Sequence, residues 1–136
     1  MIDAFELILE KDFSFEEIAT ALAVVYKIPV NEVELQFEDQ FVPPASPLNL
    51  FGLANKTGGE FSLALRLSPC ETQLAVNVIT IAYGLSLELG TSCLLPAEAG
   101  DEQDCMLLVS SSSKPKVVLV LEEYDEELGQ MNYYIQ

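Results

Sequence analysis

Apolar and polar residues alternate through the opening of the chain, with Asp3, Phe5, Leu7 and Leu9 on one side and Ala4, Glu6, Ile8 and Glu10 on the other. A period of two predicts a β-strand. The period then lengthens: Phe15, Ile18, Ala19, Leu22, Val25 and Tyr26 recur at the spacing of one helix face. Ser14 followed by Glu17 matches a capping box, and Phe13 and Ile18 stand where a hydrophobic staple closes. Pro29 stops this helix, because a proline disfavours helical geometry at the residue before it. Strict alternation returns over 32–38, with Val33, Leu35 and Phe37 opposed by Glu32, Glu34, Gln36 and Glu38, which predicts a strand with one acidic face.

Pro43-Pro44-Ala45-Ser46-Pro47 reads as a stiff connection, and Asn55-Lys56-Thr57-Gly58-Gly59 as a turn into a second alternating strand of Phe61, Leu63, Leu65 and Leu67. Together these two strands look like a hairpin with a long loop. Ser68-Pro69-Cys70-Glu71 offers an N-cap, a first-turn proline and a capping glutamate, so a helix is expected from near Pro69 to near Gly90. Its polar positions, Gln73, Asn77, Thr80, Gly84 and Glu88, form one narrow stripe; the remainder is apolar and needs a sheet or another chain over it. The β-branched Val76, Val78, Ile79, Thr80 and Ile81 keep a strand open as an alternative for this segment.

Farther on, 105–109 and 117–121 are apolar without alternation, as strands buried on both faces are, and 110–115 reads as a loop. The order predicts one α+β domain over 1–136, with a mainly antiparallel sheet of about five strands and two helices packed on one face, in a βαββαββ-like order. No internal repeat or second-domain boundary is visible.

Composition supports a folded core: half of the 136 residues are apolar, and the mean hydropathy of +0.28 is far from that of disordered chains. Charge changes the picture more. Against 22 Asp and Glu stand 6 Lys and Arg, a net charge of −16 with no histidine. Such a surface repels phosphate backbones and anionic lipid, so neither nucleic acid nor a membrane is an expected partner, whereas a basic protein is. The apolar stretch 74–95 is interrupted by Asn77, Gly84 and Glu88 and lacks basic anchors, unlike a membrane span. The opening MIDAFELILE lacks the basic region of a secretory signal, and three cysteines cannot all pair within one chain, so a reducing cytoplasm is the expected setting.

Without histidine the usual general base, the usual partner of a serine or cysteine nucleophile and the commonest transition-metal ligand are missing. Cys70, at an expected helix N-terminus, is the one candidate nucleophile, but Glu71 beside it opposes thiolate formation. Asp101-Glu102-Gln103-Asp104 is the densest acidic loop but lacks calcium-loop spacing, and Gly58-Gly59 precedes a strand where a phosphate loop precedes a helix. No cofactor or metal is expected, and an enzyme ranks last among the functions considered. The first expectation is an acidic binding module, an inhibitor or immunity protein that covers the basic cleft of a nuclease, toxin or similar effector. Its expected contacts are Glu32, Glu34, Glu38 and Asp39, together with Glu122, Glu123, Tyr124, Asp125, Glu126, Glu127, Tyr133 and Tyr134, where carboxylates stand beside rigid aromatic anchors. The alternative is a dimeric cytoplasmic chaperone or adaptor for a secreted effector, a homodimer through the apolar helix near 69–89.

Overall fold

The computed structural model describes residues 4–44, 48–69, 77–96 and 105–136. Along the chain run β1 (Phe5–Leu9), α1 (Phe15–Tyr26), β2 (Val33–Phe37), β3 (Leu50–Lys56), β4 (Gly58–Gly59) and β5 (Leu63–Pro69). They are followed by α2 (Val78–Leu89), β6 (Cys93–Pro96), β7 (Cys105–Ser110), β8 (Ser113–Asp125) and β9 (Gln130–Ile135). Short 3-10 turns occupy Val30–Glu32 and Glu38–Gln40. The fold is α+β, and its sheet is larger than the pattern predicts: nine strands in the order β2-β3-β5-β1-β6-β7-β8-β9-β4, antiparallel except for the pairs β2–β3 and β4–β9.

Helix α1 starts where its capping box places it. The Glu17 amide donates to Ser14 Oγ (3.1 Å) and the Ser14 amide donates to Glu17 Oε1 (3.0 Å), which satisfies two backbone donors at once. Helix α2 starts later than expected. Pro69 belongs to β5, opposite Leu50, and the N-cap is Asn77, whose side-chain oxygen accepts from the Ile79 amide at 2.8 Å. Cys70, Glu71 and the acidic segment 101–104 lie outside the described residues.

The long loop expected before β5 contains a strand. β3 is the antiparallel partner of β5, and β2 lies beside β3 in parallel, so β2 and β5 do not form a hairpin. The inward positions of β3 are Leu50, Gly52 and Ala54, small where neighbouring side chains need room. A Cβ on Gly52 would meet Leu35 Cδ2 at 2.5 Å and Leu67 Cδ2 at 3.1 Å. Ser113, Lys114 and Pro115 are also strand residues, because the β7–β8 turn is confined to 111–112.

Two apolar clusters lie on opposite faces of the sheet. Leu7 and Leu9 of β1 point into the larger one with Leu63, Leu65 and Leu67 of β5, and it is covered by Ile18, Ala21 and Leu22 of α1 and Ile81, Ala82 and Leu85 of α2. Gly84 allows the helices to approach, since a Cβ there would lie 2.9 Å from a Val25 methyl. Ile8, between Leu7 and Leu9, points into the second cluster with Phe61, Leu94, Met106, Val120 and Tyr133. That cluster is covered by the sheet itself. β8 pairs with β7 as far as Leu119 and with β9 from Val120 onward, and β9 then lies along Gly58–Gly59 in the turn between β3 and β5. The β8–β9 arm therefore folds back across the face away from the helices.

Candidate functional site

The folded-back arm leaves a cleft of about 620 Å³ where it does not reach the sheet. Its floor is formed by Glu6 of β1, Asn55 and Lys56 of β3, and Ala64 of β5. One wall is Phe37 with Asp39 and Gln40 of the second 3-10 turn; the other is Leu128 to Met131 and Tyr133 of the arm. A smaller recess of about 120 Å³ shares Glu6, Asn55 and Ala64 and adds Glu38, Leu53 and Arg66.

The arm is held open at its tip by a defined turn. Asp125 Oδ1 accepts from the amides of Glu127 (3.0 Å) and Leu128 (3.1 Å), its carbonyl accepts from the Gly129 amide (2.8 Å), and Gly129 takes a positive φ of 63°. These bonds fix Glu126 and Glu127 at the exposed corner beside Leu128. At its other end the arm is fastened by close backbone contact. The Glu60 amide donates to the Tyr133 carbonyl (2.8 Å), and the Ile135 amide donates to Glu60 Oε1 (3.2 Å).

Electrostatically the lining is mixed, with Glu6 and Asp39 set against Lys56. Glu6 stands opposite Arg66 in the β1–β5 register, and Lys56 Nζ lies 5.9 Å from the centre of the Phe37 ring, within cation–π range. Burial raises the Tyr133 hydroxyl from its ordinary 10.0 to about 12, with the carboxylates of Glu122 and Glu6 adding to the rise. Tyr133 is therefore a neutral hydroxyl with its ring against the second cluster.

The residues expected from sequence divide into three groups. Asp39 and Tyr133 line the cleft, Glu38 lines the recess beside it, and Glu126 and Glu127 sit next to the lining residue Leu128. A second group serves the fold: Glu32 accepts from the Asn49 side chain, Glu34 from Gln36, and Asp125 caps its turn. The others lie along the arm: Glu122 is paired in register with Tyr133, Glu123 with Asn132, Tyr124 with Met131, and Tyr134 with Leu121. Glu32 and Glu34 follow the β2 edge and do not reach the cleft lining.

Sequence reasoning missed Glu6, Asn55, Lys56 and Gln130. Glu6 carried a signal, as the one acid between Phe5 and Leu7 in an otherwise apolar strand. The others became neighbours only when the arm folded back. Among the described residues no group of three His, Cys, Asp or Glu side chains is placed to hold a metal ion, and no helix is long and apolar enough to cross a membrane.

The fold and the cleft define an α+β domain with an open groove of mixed charge. No protein-family model matches the chain, and no curated protein or solved structure is significantly similar to it.

Proposed function

We propose that this chain is an acidic protein-binding module that receives a basic segment of another protein in the cleft between the Glu38–Gln40 turn and the β8–β9 arm. The observation that carries this reading is the lining of the cleft: Asp39 stands in one wall and Glu6 in the floor, and the other wall, Leu128 to Met131, directly follows in sequence the acidic run that ends at Glu127. A Lys or Arg side chain entering it would lay its stem on Phe37, Met131 and Tyr133 and bring its charge to Glu6, Glu38 or Asp39. The net charge of −16 would draw such a segment in before contact. An inhibitor or immunity protein that blocks the cationic surface of a nuclease, toxin or effector fits this chemistry, in a cytoplasmic setting and without a catalytic step of its own.

Calorimetry with a lysine- and arginine-rich peptide tests it. Affinity should fall steeply from low to high salt. The triple change Asp39→Asn, Glu126→Gln, Glu127→Gln should weaken binding about tenfold more than Asp12→Asn, Glu16→Gln, Glu88→Gln, which removes equal charge elsewhere. Equal weakening by the two triples would mean diffuse attraction without a site and would refute the reading.

A dimeric chaperone or adaptor is the second reading, and one observation favours it: large apolar side chains stand exposed on α2 and on β8.

A further inference from the structure

We infer that two copies of this chain associate through a seam made by the outer flank of α2 and the helix-side face of β8. On α2, Ile79, Tyr83 and Leu87 recur every fourth residue and are 41%, 43% and 60% exposed. On β8, Val117, Leu119 and Leu121 recur every second residue and are 71%, 51% and 43% exposed. Each set is a straight apolar row on its own element.

Both rows lie on the same side of the sheet. Val117 pairs with Leu107 and Leu119 with Cys105, while Leu107 and Val109 pack into the helix-covered cluster, so Val117 and Leu119 share that face, and Leu121 follows them where β8 turns into the arm. Helix α2 meets α1 through Gly84 against Val25, and it meets β7 through the Ser86 hydroxyl, which donates to the Val109 carbonyl (3.3 Å). The row of Ile79, Tyr83 and Leu87 is thus on the flank away from α1, above the margin where β8 continues the sheet.

Size, charge and shape select a second copy as the occupant. Ile79, Tyr83, Leu87, Val117 and Leu119 together expose roughly 550 Å², near the upper end of what a monomer leaves bare, and approach the ~800 Å² that each partner contributes to a standard interface. Two chains of −16 repel one another through most surfaces, yet neither row holds a charged side chain. A raised helix beside a lower strand is also a self-complementary shape, because a two-fold axis sets each helix on the other copy's strand. Edge-to-edge pairing is disfavoured: the start of β8 carries Lys114, Pro115 and Lys116, the residue types that blunt a free strand edge.

This inference is independent of the cleft, and salt separates the two, since screening strengthens an apolar contact between like-charged chains and weakens capture of a basic peptide. Light scattering on the full chain should give about twice 15.0 kDa at micromolar concentration, with dimer favoured by added salt. Leu87→Glu and, separately, Val117→Lys should each raise the dimer dissociation constant at least tenfold while circular dichroism stays unchanged, because both positions face solvent within one copy. A wild-type chain that stays monomeric at all salt concentrations overturns the inference. So does a dimer that both variants leave intact.

Discussion

The two faces of this sheet are closed by different means. On one face, regular helices present apolar stripes to Leu7, Leu9, Leu63, Leu65 and Leu67, and burial is complete at each of those strand positions or nearly so. On the other, the sheet covers itself with its own last two strands, and coverage depends on a few close backbone contacts at Gly58 and Gly59. Both faces bury apolar area, but the arm face depends in addition on register and on the absence of side chains at Gly58 and Gly59. The cleft is therefore found where coverage is geometric and incomplete.

Gly59→Val gives the largest expected break in that comparison. Gly59 has a φ of 77°, and a Cβ there would lie 2.5 Å from the Tyr133 carbonyl, so the substitution is strained both by its own backbone and by its neighbour. A loss of about 2–3 kcal/mol is expected for the docked arm. Hydrogen exchange should show the amides of β9 losing protection while those of α1 and β1 keep theirs, and binding of a basic peptide should weaken with the arm. If all amides lose protection together, the two faces form one cooperative unit and do not differ in how they hold their strands.

That asymmetry also sets what could be read from sequence. The start of helix α1 was legible to the residue because its signals are local: Ser14, Glu17 and the apolar spacing act within a few positions. Strand β3 was not, since Gly52 and Ala54 look like loop residues until Leu35 and Leu67 are laid over them. The run 117–121 looked like a strand buried on both faces, but α2 stops short of it and leaves Val117, Leu119 and Leu121 in solvent. The acidic stretches were visible as candidates, and the structure places Asp39 in the wall of the cleft. That the Glu38–Gln40 turn and the segment 128–131 wall one cleft was beyond the pattern, because it depends on β8 changing partners between Leu119 and Val120. Periodicity reports which side of a strand is apolar and is silent on which strand lies next to it.

Alkaline titration probes the same contrast with a smaller effect. Tyr26 in the helix-covered cluster and Tyr133 under the arm are both raised to about 12, Tyr26 by burial, Tyr133 by burial with Glu122 and Glu6 contributing. A raised folded-state value means that the unfolded chain loses its proton first. The stabilisation is thus full below 10.0 and disappears as pH climbs toward about 12. Glu122→Gln should lower the ionisation midpoint of Tyr133, followed by tyrosinate absorbance in a Tyr26→Phe background, and Tyr133→Phe should flatten part of the alkaline loss of thermal stability. A Tyr133 midpoint indifferent to Glu122 would detach the carboxylates of the arm from the ring it covers.

The smallest effects belong to the two helix ends, and they sharpen the comparison because both lie on the helix face. Each helix closes on a left-handed residue: α1 on Lys27 with φ 59°, α2 on Gly90 with φ 65°. Around Lys27 the Ile28 amide reaches back to the Ala23 carbonyl (3.0 Å), the closure of a Schellman motif, in which glycine is the preferred residue. A side chain in that conformation costs about 1–2 kcal/mol, of which glycine's extra unfolded-state freedom returns about 0.5–1. Lys27 also places a cation at the negative end of the helix dipole, worth about 0.3–1 kcal/mol at low ionic strength and less under screening. Lys27→Gly should therefore change denaturant stability little at low salt and increase it by about 0.5–1 kcal/mol at high salt. At Gly90 a Cβ meets nothing within 4 Å, so Gly90→Ala isolates the backbone penalty and should lose about 1 kcal/mol at every salt concentration. In neither variant should the exchange of β9 amides move, because the arm is fastened to Gly58 and Gly59 and not to the helices; movement there would show that the two faces of the sheet share their stability after all.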